Sequence, residues 1–415
     1  MKSFFKSISL IVLTIVLATS CCNKEKHAKY VFLFIGDGMS FSCVALTEAY
    51  QAYHETGTFG SIPLTFTQFP VLGLATTYSA SNPITCSSAA GTALATGTKT
   101  SNYLLGVAPD SSALTAISYK IHDAGYRVGI MSTVNIDHAT PGAFYGHETY
   151  RNNYYNIGAE LSQTGFEFFS GGDFAQPTGE NGDQKSLFEI TEEAGYTISR
   201  GLDEFEANKA GNSKHLLLSP VRPGLETPSE RETVPYVIDR KEGDLSLASI
   251  VTAAIEVLDN QKGFFMMAEG GKIDWAAHKN ELVSTIFETL DMDQAIAVAY
   301  EFYKQHPDET LIVVTADHET GGPSLGLRSG YVYNLANVDK IAAEIAAGES
   351  EYVAGEKTDA SDSASTRARV GWTTTSHTGG PVPVWSVGVG SEKFAGRMDN
   401  TDIPKRICEI MGVQF

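Results

Sequence analysis

The chain predicts an α/β fold: a three-layer sandwich with a large, mostly parallel central sheet covered by helices on both faces. Three observations carry that prediction. Apolar, β-branched runs alternate with longer helical patterns along most of the 415 residues, the rhythm of strands joined by crossover helices. The runs are almost continuously apolar, as in Val31-Phe32-Leu33-Phe34-Ile35 and Leu311–Ala316, which marks strands buried on both faces. Three of them run into acids, at Asp37, Glu269 and Asp317, and open α/β sheets collect ligands beyond the carboxyl ends of their strands.

The elements follow in order. Tyr30–Ile35 is a strand that stops at Gly36-Asp37-Gly38, and Cys43–Tyr53 is helical. Pro70–Thr76 is extended, and Ser87–Thr96, dense in alanine and other small residues, forms a helix. Ala113–Ala124 is amphipathic, Tyr126–Met131 a strand, and Phe166–Phe169 a short strand closing at Gly171-Gly172. Leu245–Leu258 is helical, Gly263–Ala268 a strand, and Val283–Tyr303 a long helix. Leu311–Ala316 and Val382–Val389 are later strands. These assignments rest on hydrophobic period and on bounding turn residues.

Two stretches break the rhythm. Gln176–Asp244 is polar and rich in Gly, Pro and Glu, and reads as a surface excursion. Gly348–Thr366 is acidic and rich in small residues, and reads as an exposed loop. The chain is therefore one domain over 30–415 with insertions near 176–244 and 325–370, and it shows no repeat of fixed period.

Upstream, residues 1–20 form a targeting segment: Lys2 and Lys6 precede the apolar stretch Ile8–Ala18, which is too short to span a bilayer. It ends in Ala18-Thr19-Ser20-Cys21, similar to a bacterial lipoprotein cleavage site with a lipid on Cys21, although Leu17 is not three residues before the cysteine. A soluble periplasmic form is the other outcome. Both make the protein exported, to the periplasm or the outer membrane of a Gram-negative bacterium, with 21–29 as a linker. Only Cys43, Cys86 and Cys408 follow Cys22, too few for a disulfide framework. A Cys43–Cys86 bridge is conceivable; buried free thiols are the default.

The net charge of −19 argues against nucleic acid and anionic membrane surfaces as partners. An acidic protein acting on an anionic substrate must concentrate positive charge locally, and bound metals with one arginine would do so. The ligand types are present. Asp274 and His278 stand four apart, so on a helix they share a face and can chelate one zinc ion. Asp317 and His318 lie side by side where a strand spills into Glu319-Thr320-Gly321-Gly322. Thr140, in Asp137-His138-Ala139-Thr140-Pro141, is a hard oxygen suited to magnesium. Arg151 offers a planar fork for two phosphoryl oxygens. In Ile84–Gly97, small residues let backbone approach a ligand, and a serine at the helix start meets its free N–H groups. Read alone, that segment is a serine-capped, tightly packed helix. The remaining histidines, His27, His54, His122, His147, His215 and His306, read as surface or satisfied core positions.

Together and in this order, these segments resemble the alkaline phosphatase family, from Val31 to about Gly390 and through at least five motifs. The resemblance implies the sandwich above and a site of two zinc ions and one magnesium around a serine nucleophile acting on phosphate monoesters and releasing inorganic phosphate. Thr85-Cys86-Ser87 through Thr96-Gly97-Thr98-Lys99-Thr100 matches the nucleophile motif, with Ser87 as nucleophile. Choosing Ser88 would rotate the Cβ direction by roughly 100° relative to the Thr96-Gly97 anchor. By resemblance, Asp37 bridges the second zinc and the magnesium, Thr140 and Glu269 complete the magnesium site, and Arg151 binds phosphate. Asp274, His278 and His377 hold the first zinc; Asp317 and His318 hold the second with Asp37. Family members occur as homodimers and as monomers.

Three departures accompany the match. Cys86 stands where many members carry an aspartate that orients the arginine, which leaves Arg151 without that partner. His138 occupies a position that varies between aspartate and histidine. Trp275 replaces a lysine or histidine that reaches phosphate through water. None removes a direct metal ligand. Two other readings stand beside this one. A sulfatase or phosphodiesterase of the same superfamily is one, against which Cys86-Ser87-Ser88-Ala89-Ala90 lacks the Pro and Arg of a sulfatase motif. A non-catalytic zinc- or phosphate-binding homologue is the other.

Overall fold

A computed structural model describes residues 26–227, 231–327, 333–347 and 352–415. The targeting segment 1–20, Cys21 and Cys22 lie outside the described residues. From the N-terminus the elements are β1 (Tyr30–Gly36), α1 (Phe41–Thr56), β2 (Val71–Thr76), α2 (Ser87–Thr96), α3 (Ile117–Asp123), β3 (Arg127–Ser132), α4 (Ala139–Gly142), α5 (Tyr154–Leu161) and β4 (Phe168–Gly171). Next come α6 (Leu187–Glu193), β5 (Thr197–Arg200), α7 (Leu202–Asn208), β6 (His215–Leu218), α8 (Leu247–Leu258), β7 (Phe264–Gly270), α9 (Lys272–His278) and α10 (Leu282–Gln305). The last are β8 (Thr310–Thr315), β9 (Glu319–Thr320), β10 (Pro323–Leu325), α11 (Ala336–Ala346), α12 (Asp359–Ala368), β11 (Val370–Trp372), β12 (His377–Thr378), β13 (Val382–Gly388), β14 (Gly396–Asp399) and α13 (Asp402–Met411).

Ten strands make one sheet in the order β14-β2-β13-β8-β1-β7-β3-β4-β6-β5. All pairings are parallel except those of β13 with β2 and β8. The central strands are buried along their whole length, because helices cover both faces. On one face Phe32 and Phe264 meet Phe302 of α10, with ring centroids 5.6 and 5.7 Å apart. On the other, Phe265 meets Phe144, just beyond α4. This is the predicted three-layer sandwich.

Two sequence readings are corrected. Gln176–Asp244 is not only a surface excursion, since it supplies β5 and β6, which extend the sheet beyond β4. These strands are four residues each, too short for their period to stand out from polar neighbours. The described part of Gly348–Thr366 is not simply an exposed loop. Thr358 and Ser361 form a capping box that starts α12, and Ala364 and Ala368 join Leu282, Val283 and Ile286 in a small separate core. Acidic composition hides that stripe because it is only alanine wide. Among the described residues, no helix is long and apolar enough to cross a membrane.

The register of the central strands positions the site. Ile35 pairs with Glu269 on one side and Thr315 on the other, so Asp37 and Asp317 follow β1 and β8 two residues beyond the level of Glu269, on three adjacent strands whose spacing is about 4.8 Å. Gly38, at φ +71°, turns the chain away from β1, and a Cβ there would lie 2.8 Å from Thr320 Oγ1. In α2, a Cβ at Gly91 would sit 3.2 Å from Ala143 Cβ and 3.3 Å from Thr140 Cα. The missing side chain is what lets α2 press against α4.

Candidate active site

Beyond the carboxyl ends of β8, β1 and β7, the structure brings together every metal-ligand candidate the sequence singled out. Asp37, Asp317 and His318 offer ligand atoms all within 4.8 Å of one another, as do Asp37, His138 and Glu269, and Asp274, His318 and His377. His278 belongs with the last group: its Nε2 lies 3.4 Å from Asp274 Oδ1 and 3.1 Å from His377 Nε2, and His377 Nε2 lies 3.7 Å from the same Asp274 oxygen. The Thr140 hydroxyl stands 3.4 Å from Asp37 Oδ2.

Hydrogen bonds behind these groups decide what they present in front. His278 Nδ1 donates to the Thr375 carbonyl and His377 Nδ1 to the Thr85 carbonyl, each at 2.8 Å. A carbonyl only accepts, so both rings carry a proton on Nδ1, and their Nε2 atoms face each other beside a carboxylate as the atoms offered to a cation. Thr320 repeats the device. Its single hydroxyl hydrogen goes to Asp274, so it accepts from His318 Nδ1 at 3.2 Å, leaving His318 Nε2 unprotonated. That nitrogen points among Ser87 Oγ at 3.2 Å, Asp317 Oδ2 at 3.1 Å and Asp37 Oδ1 at 3.4 Å.

Such an arrangement is unfavourable without a cation. Asp37 Oδ1, Asp317 Oδ2 and Glu269 Oε1 are buried with no hydrogen-bond partner. Burial first, then the neighbouring carboxylates of Asp317, Asp274 and Glu269, push Asp37 far above the ordinary carboxylate range. Burial, followed by Asp274, carries Asp317 up to about 8. Burial carries Glu269 to about 7 although Ser132 donates to its Oε2. Burial, then the rings of His377 and His278, holds His318 well below the usual imidazole range. Lone pairs converging from buried oxygens and neutral imidazoles, with no hydrogen between them, are the donor set of a hard-to-borderline divalent metal. The residues fit the metals that the resemblance implies.

Ser87 is the first residue of α2, and the cap position before it is Cys86, which makes no side-chain capping bond. The expected serine cap is therefore absent. Ser87 turns its hydroxyl to His318, and the helix amides stay open toward the site. Cys86 instead accepts from the Tyr103 N–H at 3.2 Å. Cys43, Cys86 and Cys408 are free thiols, so Cys43 and Cys86 do not pair.

Arg151 lines one cleft of about 570 Å³ with Ser87, His138, Asp274, Trp275, His278 and His377. The partner it lacked in sequence is His138, whose Nε2 accepts from the guanidinium at 3.1 Å. Burial, then Arg151, lowers the His138 pKa well below its ordinary value, which keeps the ring an acceptor. Trp275 meets the His138 ring edge to face at 5.9 Å. The other histidines have ordinary partners, such as Glu160 for His147 and Asp339 for His54.

Sequence reasoning missed Ser132, Thr320 and the carbonyls of Thr85 and Thr375. Thr320 was reachable, since it lies two residues beyond His318 on a turn. The carbonyls carry no side-chain signal at all.

A largely parallel sheet whose strand ends gather acids, neutral imidazoles and a serine at a helix start defines a phosphatase-type hydrolase site capable of binding several metals. Comparison with known proteins agrees. The alkaline phosphatase family model matches residues 28–167 and 165–413. Alkaline phosphatase 3 of Bacillus subtilis (strain 168) is 31% identical over 438 residues, covering 94% of this chain and 90% of the relative. The structure of alkaline phosphatase from the Antarctic bacterium TAB5 superposes with a TM-score of 0.75 at 30% identity, covering 94% of this chain and 100% of that one. A cold-active alkaline phosphatase from the psychrophile Shewanella sp. gives a TM-score of 0.77 at 28% identity, covering 92% and 99%. The chain belongs to the alkaline phosphatase family.

Proposed function

We propose that this protein hydrolyses phosphate monoesters through a phosphoserine formed on Ser87, at a site holding two zinc ions and one magnesium. Asp274, His278 and His377 would hold one zinc; Asp37, Asp317 and His318 the other; Asp37, Thr140 and Glu269 the magnesium. Bound there, the cations neutralise the buried carboxylates and act as Lewis acids toward the phosphoryl oxygens and the serine hydroxyl.

The chain's own groups do the rest. Arg151, steadied by His138, donates to the phosphoryl oxygens, and the open amides at the start of α2 add their dipole. Ser87 Oγ attacks phosphorus as its hydroxyl proton passes to solvent. The new O–P bond forms as the ester P–O bond breaks, and the alcohol departs, taking a proton from solvent. Water then cleaves the bond between Ser87 and phosphorus, releasing inorganic phosphate and restoring the hydroxyl.

The observation that carries this reading is the convergence of the Nε2 atoms of His278, His318 and His377 beside Asp274, Asp317 and Asp37, with Ser87 Oγ 3.2 Å from His318 Nε2. Ser87→Ala is expected to abolish turnover of an aryl phosphate while zinc content and thermal unfolding stay as in the parent. Near-normal turnover would remove Ser87 from the mechanism. The segment 1–20 supports export, and incorporation of labelled palmitate at Cys21 separates a lipid-anchored form from a soluble one. Size-exclusion mass measurement separates the homodimer from the monomer.

A further inference from the structure

The cleft at Ser87 is not lined by the site residues alone. It is also lined by Tyr236, Trp275, Lys279 and the short strap Ala354-Gly355-Glu356. A volume of about 570 Å³ is in the range that encloses a drug-sized ligand, far more than a phosphoryl group needs.

The strap is built into the fold. Glu281 is fully buried. Its Oε1 accepts from the N–H groups of Val283 at 2.6 Å and Ser284 at 3.1 Å, capping α10, while its Oε2 accepts from Ser284 at 3.0 Å and from Gly355 at 3.3 Å. One carboxylate thus ties the helix carrying the small core to the strap. On the strap's other side Gly355, at φ +67°, packs so tightly on Tyr236 that a Cβ would lie 2.1 Å from the phenol oxygen. The Tyr236 ring is itself held by Lys272, whose Nζ sits 3.5 Å over its centroid. Glu356 pairs with Lys279 at 3.2 Å on the solvent side. A tethered strap, a fixed phenol and the Trp275 indole therefore share a cleft with the serine.

We infer that the strap 354–356, with Tyr236 and Trp275, is the leaving-group wall of the site and selects phosphate esters whose alcohol carries a flat ring. The inference rests on the phosphomonoesterase reading. A ring between two aromatic side chains gains offset or edge contacts beyond simple area burial. The backbone of Gly355 lets the wall come that close, and Glu281 fixes where it stands. Strap and tether are positioning and specificity elements; the reacting atoms lie at Ser87.

The test compares 2-phenylethyl phosphate with ethyl phosphate, two primary alkyl esters of closely matched intrinsic reactivity that differ in the ring. The metal-loaded parent is expected to favour the ring-bearing ester in kcat/KM by about tenfold, through a lower KM. Gly355→Ala displaces the strap from Tyr236. Glu281→Gln keeps shape but turns an acceptor into a donor against the Gly355 N–H, so it carries the test if the first variant does not fold. Each is expected to bring the ratio to within about twofold of unity by raising KM for the ring ester alone. A merely structural role would change kcat for both esters together. A parent ratio near one overturns the inference and leaves the phosphatase reading standing, and so does a parent-like ratio in the variants. Turnover of neither ester by the parent overturns both.

Discussion

The Arg151 guanidinium donates to His138 Nε2 at 3.1 Å. Cys86, beside Ser87, offers this arginine no carboxylate, and His138 is its partner instead. His138 and the arginine proposed to bind phosphate therefore form one unit.

His138→Ala should therefore act on substrate binding more than on chemistry. A hydrogen bond to a charged group contributes about 1.5–3 kcal/mol, so KM for a phosphate ester should rise about tenfold or more, with kcat changed less. Steady-state kinetics across phosphate-inhibitor concentrations would show the same weakening for inorganic phosphate.

Thr320→Val removes the hydroxyl that bonds both Asp274 and His318 while keeping side-chain shape. Partners behind metal ligands typically set about 10- to 100-fold in affinity. Zinc affinity measured against a competing chelator should fall by about that factor, with the far-ultraviolet spectrum unchanged.

Metal removal should make stability strongly pH-dependent. In the metal-free protein Glu269 and Asp317 are raised by burial to about 7 and about 8. Groups raised on folding stabilise fully below their unfolded values, near ~4, and that contribution is lost as pH climbs through about 7 and 8. The melting temperature of chelator-treated protein should fall from pH 5.5 to pH 8.5, and zinc should recover most at the upper end. A flat profile would contradict the cage of acids.

Gly91→Val tests the seat of the serine. The added Cβ would meet Ala143 and Thr140 at 3.2 and 3.3 Å, and overpacking a tight contact costs about 1–3 kcal/mol. Both the melting temperature and turnover should drop, because α2 carries Ser87 as its first residue.

Much of this was legible beforehand. Asp37, Glu269 and Asp317 could be read as ligands because each ends an apolar run, where a carboxylate has no structural use. Asp274 and His278 were legible because four residues along a helix bring side chains to one face. β5 and β6 were not, being short, polar at their borders and stabilised by pairing β6 with β4 and β5 with β6. The strap was hidden in an acidic stretch where Tyr352 and Val353 stand beside it with no helical or strand period to mark them.

By itself the amino-acid order determined which chemistry this protein could hold: strand ends that stop in acids, a small-residue helix that starts at a serine, and histidines at chelating spacing. Those are local properties, written in period and residue type. Only the folded chain decided that His138 would steady Arg151, that Thr320 would set the His318 tautomer, and that Glu281 would hold Gly355 against Tyr236. Each of those contacts joins groups brought together by packing rather than by spacing, and hydrogen-bond direction is settled by the neighbours that burial supplies.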